Sequence, residues 1–252
     1  MVKCWICPNE ANSKEHIIKK SDLIRVYGKG PYKGDLEIVH DKNGEHRRLQ
    51  GPDAKRIKYA PSLCHECNTG FTQPFDRAYD KFIDYVYQNE SDILRKRFID
   101  FTDVYGDDFE EGLVSLYRYL AKSFGCRLYD AGQTVPDDII TLLRQAPFKT
   151  RLRLTLAVNE DILLMSHEDR KGFIGKGDLG LWTDRENPSV CTGYTWSEHV
   201  SWFLFNYWYI REPDGSTGST WYANSRFVYL GAISVLSEKE RNEMISNANK
   251  NI

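Results

Sequence analysis

The sequence has no long run of apolar residues. None approaches the roughly 20 apolar residues that an α-helix needs to cross a bilayer, and the first residues lack the apolar segment of a secretory signal peptide. Hydrophobic residues make up 41% of the 252 residues and charged residues 28%, which is ordinary for a globular protein. These features predict a cytoplasmic protein with no membrane partner.

The chain also has little net charge, −2 at neutral pH, but its charges are unevenly distributed. Residues 1–75 carry 13 Lys and Arg against 9 Asp and Glu, whereas the remainder carries 21 against 27. Neutralisation of phosphates is the part of nucleic-acid affinity that does not depend on sequence. The basic excess therefore indicates the N-terminal third as the place where a nucleic acid would bind.

Cysteine is scarce, and four of the six cysteines form two Cys-x-x-Cys pairs, Cys4 with Cys7 and Cys64 with Cys67. Disulfides are rare in a reducing compartment, and two such pairs offer the four thiolates of a tetrahedral zinc site. The alternative is a redox dithiol, which needs a thioredoxin-like βαβ unit that this region does not predict. A zinc ion bound by four cysteines has no open coordination position, so the predicted zinc site is structural.

An acid–histidine pair, Glu15-His16, follows the first cysteine pair, and Asn68 follows the last cysteine. The order Cys-x2-Cys, Lys-Glu-His-Ile-Ile, Leu-Cys-x2-Cys-Asn resembles the zinc-containing branch of the HNH endonucleases, also called His-Me finger or ββα-metal nucleases. The resemblance covers residues 1 to about 75 and implies a zinc-stabilised ββα-metal module. It further implies that His16 is a general base and that Glu15 and Asn68 hold one magnesium or manganese ion.

These residue types suit the hydrolysis of a phosphodiester bond. An imidazole with a pKa near 6.5 can take a proton from water at neutral pH. The oxygens of Glu15 and Asn68 suit a hard divalent cation, which would neutralise charge on the leaving 3′ oxygen. The expected products carry 5′-phosphate and 3′-hydroxyl ends. Because adjacent strand residues point to opposite faces, Glu15 and His16 must lie at a strand end or a bend. The alternative to a general base is that His16 only satisfies a hydrogen bond in the core.

The sequence departs from the family pattern at two positions. Lys19 stands where the family often has proline, and Thr72 stands where some relatives have a second histidine ligand. A lysine at position 19 could contact a phosphate of the nucleic acid. With Thr72 in place of the histidine, the cation site would consist of Glu15, Asn68 and water.

A hairpin is predicted around Asn43-Gly44, because this dipeptide tolerates the positive φ of a tight turn. Its flanking segments carry four cationic or titratable side chains, which are His40, His46, Arg47 and Arg48. These side chains could follow a nucleic-acid backbone, or they could form a solvated face.

Beyond residue 70 the apolar pattern predicts helices and then strands. Apolar residues recur every three or four positions over residues 71–86 and 113–124, and Ser91 could begin a helix that runs to about Asp100. Residues 151–156 alternate with period two, and the aromatic segment 202–210 suits a strand. The aromatic side chains could form a sheet core or a platform on which bases stack.

The sequence thus predicts an α+β protein in three parts. These are an N-terminal zinc-bound ββα-metal module over residues 1–75, a helical region over 76–147, and an antiparallel β-rich region over 148–252 that ends in a helix. The third part could mediate homodimerisation or bind a regulatory protein.

Two functions follow from these patterns. The first is a metal-dependent endonuclease that acts on DNA, with RNA as the other substrate to consider and with residues 76–252 providing targeting, dimerisation or regulation. The second is a module that kept the zinc scaffold but lost the chemistry, and that binds nucleic acid or a protein. The intact set of Glu15, His16 and Asn68 favours the endonuclease.

Overall fold

The computed structural model describes residues 2–34, 37–42, 44–145, 150–210 and 220–250. In these ranges the α-helices are α1 (Lys20–Tyr27), α2 (Gln73–Gln88), α3 (Glu90–Lys96), α4 (Phe101–Tyr105), α5 (Phe109–Asp130), α6 (Asp137–Arg144), α7 (His167–Lys171) and α8 (Glu238–Lys250). The three longest of them are α5 with 22 residues, α2 with 16 and α8 with 13, and all three lie after residue 72. None of the described helices is long and apolar enough to cross a membrane.

The strands of the described residues are β1 (Val39–Lys42), β2 (Glu45–Arg48), β3 (Phe98–Asp100), β4 (Leu152–Asn159), β5 (Ile174–Lys176), β6 (Gly180–Thr183), β7 (Cys191–Val200), β8 (Phe203–Ile210), β9 (Thr220–Trp221), β10 (Phe227–Tyr229) and β11 (Gly231–Ile233). A seven-stranded sheet has the order β11-β4-β8-β7-β5, with β6 beside β7 and β9 beside β4. Its pairings are antiparallel except that β11 runs parallel to β4. The hairpin β1-β2 and the pair β3-β10 stand apart from this sheet.

The N-terminal segment folds back on the chain that precedes the second cysteine pair. Backbone hydrogen bonds run from Ser13 N to Leu63 O (2.9 Å), from Tyr59 N to Glu15 O (2.9 Å) and from Ile17 N to Ile57 O (2.7 Å). The two segments are therefore antiparallel, although they form isolated bridges and not continuous strands. A π-helical turn, Glu66–Phe71, follows the second cysteine pair and leads into α2. Residues 13–17 thus lie beside the start of this helical segment.

Polar contacts hold α1 against α2. Three acidic residues of α2, spaced four residues apart, contact the α1 segment: Asp76 accepts from Lys19 Nζ (2.8 Å), Asp80 from Ser21 Oγ (2.6 Å) and Asp84 from Arg25 Nε (2.6 Å). Residues four apart share one face of a helix, so the spacing presents all three acids to α1. The segment that carries Glu15 and His16 is thereby fixed relative to α2.

The core lies between the helices and one face of the large sheet. Tyr79 of α2 stacks on Tyr119 of α5 with ring centroids 4.0 Å apart, and Phe124 of α5 stacks on Tyr207 of β8 at 5.7 Å. One continuous cluster of buried side chains extends from Cys4 to Leu230 and draws on all three predicted parts. Removal of apolar surface from water is favourable by about 25 cal/mol for each Å². The shared cluster therefore stabilises the packing of the three parts against one another.

The α+β class is confirmed, with a helical middle and a β-rich C-terminal part. The aromatic segment forms β8, and because Phe203, Phe205 and Tyr207 are buried, it serves as core. The ten-residue strand β7 escaped prediction, since its inward positions include the charged Glu198, which obscures the alternation. The helix expected up to Asp100 ends earlier, at Lys96, where Arg97 takes a left-handed conformation (φ 58°). The chain then continues as β3, which pairs with β10.

Candidate metal centre and adjoining cleft

The four cysteines of the two pairs come together. The Sγ atoms of Cys4, Cys7, Cys64 and Cys67 all lie within 4.8 Å of one another, and Cys7 Sγ is 3.6 Å from the Sγ atoms of both Cys64 and Cys67. Zinc–sulfur bonds of about 2.3 Å place tetrahedral ligands about 3.8 Å apart. The cluster therefore fits a single ion such as zinc, and three of its four residues are buried.

The other two cysteines lie outside this cluster. All six cysteines, which are all among the described residues, are free thiols. Cys126 is completely buried in α5, and burial raises the pKa of its thiol to about 12. Cys191 is half-buried at the start of β7. Cys126 therefore serves as a small apolar residue of the core, whereas the thiol of Cys191 donates to the carbonyl of Gly193 at 3.4 Å.

Beside the cysteine cluster lies an open cleft of about 500 Å³. Glu15, His16 and Asn68 all line it, together with residues of α1 and α2 that include Lys20 and Asp76. The antiparallel pairing brings the first two residues next to the turn that carries the third. The three residues singled out from the sequence therefore share one concave surface.

The side-chain amide of Asn68 has one satisfied end and one free end. Its Nδ2 donates to Ser13 Oγ at 2.9 Å and to the carbonyl of Lys14 at 3.4 Å. These two bonds fix the orientation of the amide. Its Oδ1 is buried and has no hydrogen-bond partner among the described residues. Because buried oxygens without a partner are rare and costly, Oδ1 is suited to bind a cation.

His16 lies at the edge of the cleft with its ring against an exposed acid. Its Nε2 is 3.1 Å from Asp53 Oδ1, and Lys58 Nζ approaches the same oxygen at 2.7 Å. Burial is the largest cause that lowers the pKa of His16, and Lys58 adds to it, whereas Glu15 and Asp53 oppose it. The pKa lies below its ordinary value, so the imidazole is neutral at neutral pH.

Glu15 is directed towards the protein interior. Its Oε2 is 3.2 Å from Nζ of Lys122, a residue of α5 that is only 1% exposed. The same ammonium is 3.1 Å from Asp76 Oδ2. Burial alone would lower the pKa of Lys122, but Glu15 and Asp76 outweigh it and the pKa is raised. Burial likewise would raise the pKa of Asp76, and Lys122 and Lys19 together outweigh that effect and lower it.

The structure gives Lys19 protein partners where a phosphate contact was predicted. Its ammonium pairs with Asp76 at 2.8 Å and lies over the rings of Tyr79 and Tyr119, 5.4 and 4.8 Å from their centroids. The side chain is only 14% exposed. A lysine held in this way stabilises the contact between α1 and α2. Lys19 also lines the cleft, and its contact with a phosphate stays a prediction.

The four hairpin residues predicted to follow a nucleic acid lie on β1 and β2, apart from the cleft lining. Their charges are compensated locally: Arg47 pairs with Glu45, Arg48 with Glu37, and His46 Nδ1 with Asp41 at 3.0 Å. His40 is half-buried, and burial together with the nearby Arg56 lowers its pKa. The turn residue Asn43 lies outside the described residues. Contact between this hairpin and nucleic acid stays a prediction.

Two residues of the site were not found from the sequence. Asp53 lies in a Gly-Pro-Asp loop, and nothing in that motif relates it to a histidine 37 positions earlier. Lys122 interrupts an otherwise apolar run in α5 between Ala121 and Phe124. A lysine in such a position is the one available signal, because a charged residue among buried ones needs partners.

The chain was compared with models of protein families, with curated proteins and with solved structures, and no match was found. The function of this chain must therefore be inferred from the geometry of the cleft and from the residues that line it.

Proposed function

We propose that this protein is a metal-dependent endonuclease of the HNH type that hydrolyses phosphodiester bonds in DNA, on a scaffold held by one zinc ion at the four cysteines. The observation that supports it most is the shared cleft of Glu15, His16 and Asn68, with a buried and unpartnered Asn68 Oδ1 beside the cysteine cluster. A buried oxygen without a partner costs free energy, and a bound cation would satisfy it.

Each side chain has a role that its contacts allow. His16, with Nε2–H donated to Asp53, keeps a lone pair on Nδ1 that can accept the proton of the attacking water. Asp53 orients the ring and stabilises the positive charge that develops on it. Asn68 Oδ1 and the carboxylate of Glu15 would hold a magnesium or manganese ion. When bound, that ion would neutralise charge on the scissile phosphate and on the leaving oxygen.

The antiparallel segments 13–17 and 57–63, which pair through isolated bridges, are followed by the turn 66–71 and by α2, so two extended segments precede a helix. This order is the one that the HNH resemblance implies for the first 75 residues. It supports the proposal at the level of topology, while the cleft supports it at the level of chemistry.

The alternative is a module that binds nucleic acid or a protein and has lost the chemistry. One observation favours it: the carboxylate of Glu15 already pairs with the ammonium of Lys122. A compensated carboxylate attracts a cation less strongly than a free one. Such a module would bind DNA without cutting it.

A plasmid-nicking assay with Mg²⁺ or Mn²⁺ separates the two functions. We expect the zinc-loaded wild type to nick and linearise supercoiled plasmid, and His16→Ala to cut 10²- to 10⁴-fold more slowly, in the range for loss of a general base. His167→Ala is the matched control, because this histidine is exposed and lies outside the cleft. It should cut at the wild-type rate.

Two results would contradict the proposal. One is a folded wild type that leaves both DNA and RNA intact with either metal while still binding them. The other is a His16→Ala variant that cuts as fast as the wild type, since the activity would then come from another group or a contaminant. Circular dichroism of each variant establishes that the fold is retained.

A further inference from the structure

Lys122 is the most completely buried charged group next to the cleft, and its position on α5 is unusual. It is 1% exposed and lies among apolar residues of a helix that the sequence resemblance does not cover. Moving an ammonium out of water costs several kcal/mol unless oppositely charged groups offset it. Its three partners come from two other segments of the chain, Glu15 from the N-terminal segment and Thr72 and Asp76 from the start of α2, so its placement depends on both.

The contacts of Lys122 converge on the candidate cation ligands. Its Nζ is 3.2 Å from Glu15 Oε2 and 3.1 Å from Asp76 Oδ2, and it donates to Thr72 Oγ1 at 3.3 Å. Thr72 in turn donates to the backbone carbonyl of Asn68 at 3.2 Å. One side chain thus contacts Glu15 directly and the turn that carries Asn68 through Thr72.

The contact with Lys122 leaves part of Glu15 available. It engages Oε2, and the other oxygen, Oε1, has no hydrogen bond or ion pair with any described residue. Asn68 Oδ1 is likewise unpartnered within the described part of the chain. Lys122 therefore holds one side of the carboxylate while an oxygen from each candidate ligand stays free.

We propose that Lys122 is a positioning residue of the cation site, which fixes Glu15 and the Asn68 turn so that Oε1 and Oδ1 are presented together. The proposal rests on the proposed function, because it concerns the cation of that same site. It also means that α5 completes the site, so the N-terminal segment by itself is not a whole nuclease. Groups that hold the ligands of a metal commonly change its affinity 10- to 100-fold when they are removed.

The opposing interpretation is that Lys122 belongs to an ion-pair network that only stabilises the fold. The chain contains a matched case for comparison. Lys176 is 14% exposed and pairs with the buried Glu198 at 2.7 Å, and neither residue lines the cleft. Its Nζ also donates to Ser123, the residue next to Lys122 on α5. Removing either lysine therefore breaks a buried ion pair at the same helix, but only one of them touches Glu15.

The test measures Mn²⁺ binding without any nucleic acid, by the electron paramagnetic resonance signal of free Mn²⁺ and by calorimetry on zinc-loaded protein. Lys122→Met has two opposing effects on the cation. It removes a positive charge beside Glu15, which favours Mn²⁺ binding, and it removes the contacts that hold the ligands, which disfavours binding. The proposal requires the second effect to be the larger, so we expect Lys122→Met to weaken Mn²⁺ binding 10- to 100-fold, and Lys176→Met to change it less than about twofold although both variants lose an ion pair. Asn68→Ala should weaken binding as a positive control. Unchanged or tighter Mn²⁺ binding by folded Lys122→Met would overturn the proposal.

A second variant covers the case in which Lys122→Met does not fold. Lys122→Met combined with Asp76→Asn removes both charges of the buried pair while nearly preserving volume, and such neutral replacements are often tolerated. Asp76 itself lines the cleft, so the reference for this double variant is Asp76→Asn alone. We expect the double variant to bind Mn²⁺ at least tenfold more weakly than Asp76→Asn, and equal affinity of the two would overturn the proposal. A wild type that neither binds Mn²⁺ nor nicks plasmid would overturn the proposed function as well. A wild type that does both, with equal binding by the double variant and Asp76→Asn, would overturn the role of Lys122 alone.

Discussion

Burial lowers the pKa values of both His16 and His199, but the surroundings of the two histidines differ. His16 lines the cleft and contacts Asp53. His199 stacks on Phe173 with ring centroids 4.7 Å apart, and its buried Nε2 has no partner among the described residues. A histidine held by an acid at the edge of a cleft can exchange protons with a substrate. A histidine enclosed by β5 and Phe173 is part of the packing.

The enclosure of His199 predicts an acid-sensitive contribution to stability. Burial is the main cause that lowers its pKa from 6.5 to about 4, with Glu198 opposing it. The unfolded chain therefore takes up a proton near pH 6.5, whereas the native state takes it up only near pH 4. Between these values unfolding binds a proton, so the free energy of unfolding falls as the pH decreases.

Urea unfolding of wild type and His199→Phe at pH 7, 6 and 5 measures this contribution. The phenyl ring keeps the stack on Phe173 and does not titrate. We expect the wild type to lose more stability than the variant over this range, with a difference of about 2 kcal/mol at pH 5. Other effects of acid, such as protonation of other groups and release of zinc, occur in both proteins and cancel in the comparison. If the free energy of unfolding of the two proteins has the same pH dependence, the prediction is wrong.

Among the elements, α5 is the one that joins the others. Its residue Tyr119 stacks on α2, and the hydroxyl of Tyr117 donates to the carbonyl of Leu152, at the start of β4, at 2.6 Å. At its far end the indole of Trp5, from the first cysteine pair, packs on Gly125. A Cβ at position 125 would lie 2.6 Å from Trp5 Cη2. Glycine is therefore required there by the close approach of the metal centre to the helix.

The glycine contact sets two effects against each other. Alanine is favoured over glycine inside a helix by about 1 kcal/mol, whereas forcing an extra methyl into a packed contact costs about 1–3 kcal/mol. We expect Gly125→Ala to destabilise the wild type by about 1 kcal/mol, measured by urea unfolding.

In a Trp5→Leu background, where the indole is absent, the same substitution should become neutral or stabilising. The double-mutant cycle would then give a coupling free energy of about 1–3 kcal/mol between the two positions. If Gly125→Ala stabilises the protein equally in both backgrounds, then Trp5 does not restrict this position.

For the molecule as a whole, the continuous core means that the metal centre and the sheet do not fold separately. Cys4, Cys64 and Cys67 belong to the same buried cluster as residues of β4 and β8. A metal that binds the native state and holds four thiolates contributes its binding free energy to folding. Because the cluster extends through the helices into the sheet, metal binding stabilises the helices and the sheet together with the metal centre.

Removal of zinc is therefore expected to lower the stability of the entire protein in one transition. Wild type should carry one zinc per chain by elemental analysis, whereas Cys64→Ser should carry less and should unfold at a lower temperature by calorimetry. Chelation of the wild type should have the same effect.

Cys191→Ser is the matched control for this experiment, because Cys191 lies outside the cluster. It should keep its zinc and its Tm. Full zinc content in Cys64→Ser, or a chelated wild type with an unaltered Tm, would contradict the structural role of the metal.

Several parts of the fold could be read from local patterns. The helical period of α2 and α5, the alternation of β4 and the Asn-Gly hairpin are properties of neighbouring residues, and each of these elements is found. Other parts depend on distant partners. The short strand β3 exists because β10, over 120 residues later, pairs with it. Glu198 can occupy an inward position of β7 because Lys176 and Tyr207 satisfy it.

The same division holds at the candidate site. From ligand type and spacing, which are local chemical facts, the sequence by itself predicted that the four cysteines hold a metal. Its resemblance to the HNH endonucleases singled out Glu15, His16 and Asn68. Only the tertiary structure decided that these three line one cleft, that Asp53 holds His16, and that Lys19 is engaged with Asp76. It also placed Lys122 against Glu15. The reason is physical. A buried charge is tolerated only where distant segments bring oppositely charged groups to it, and the sequence around one residue does not show which distant residues will contact it.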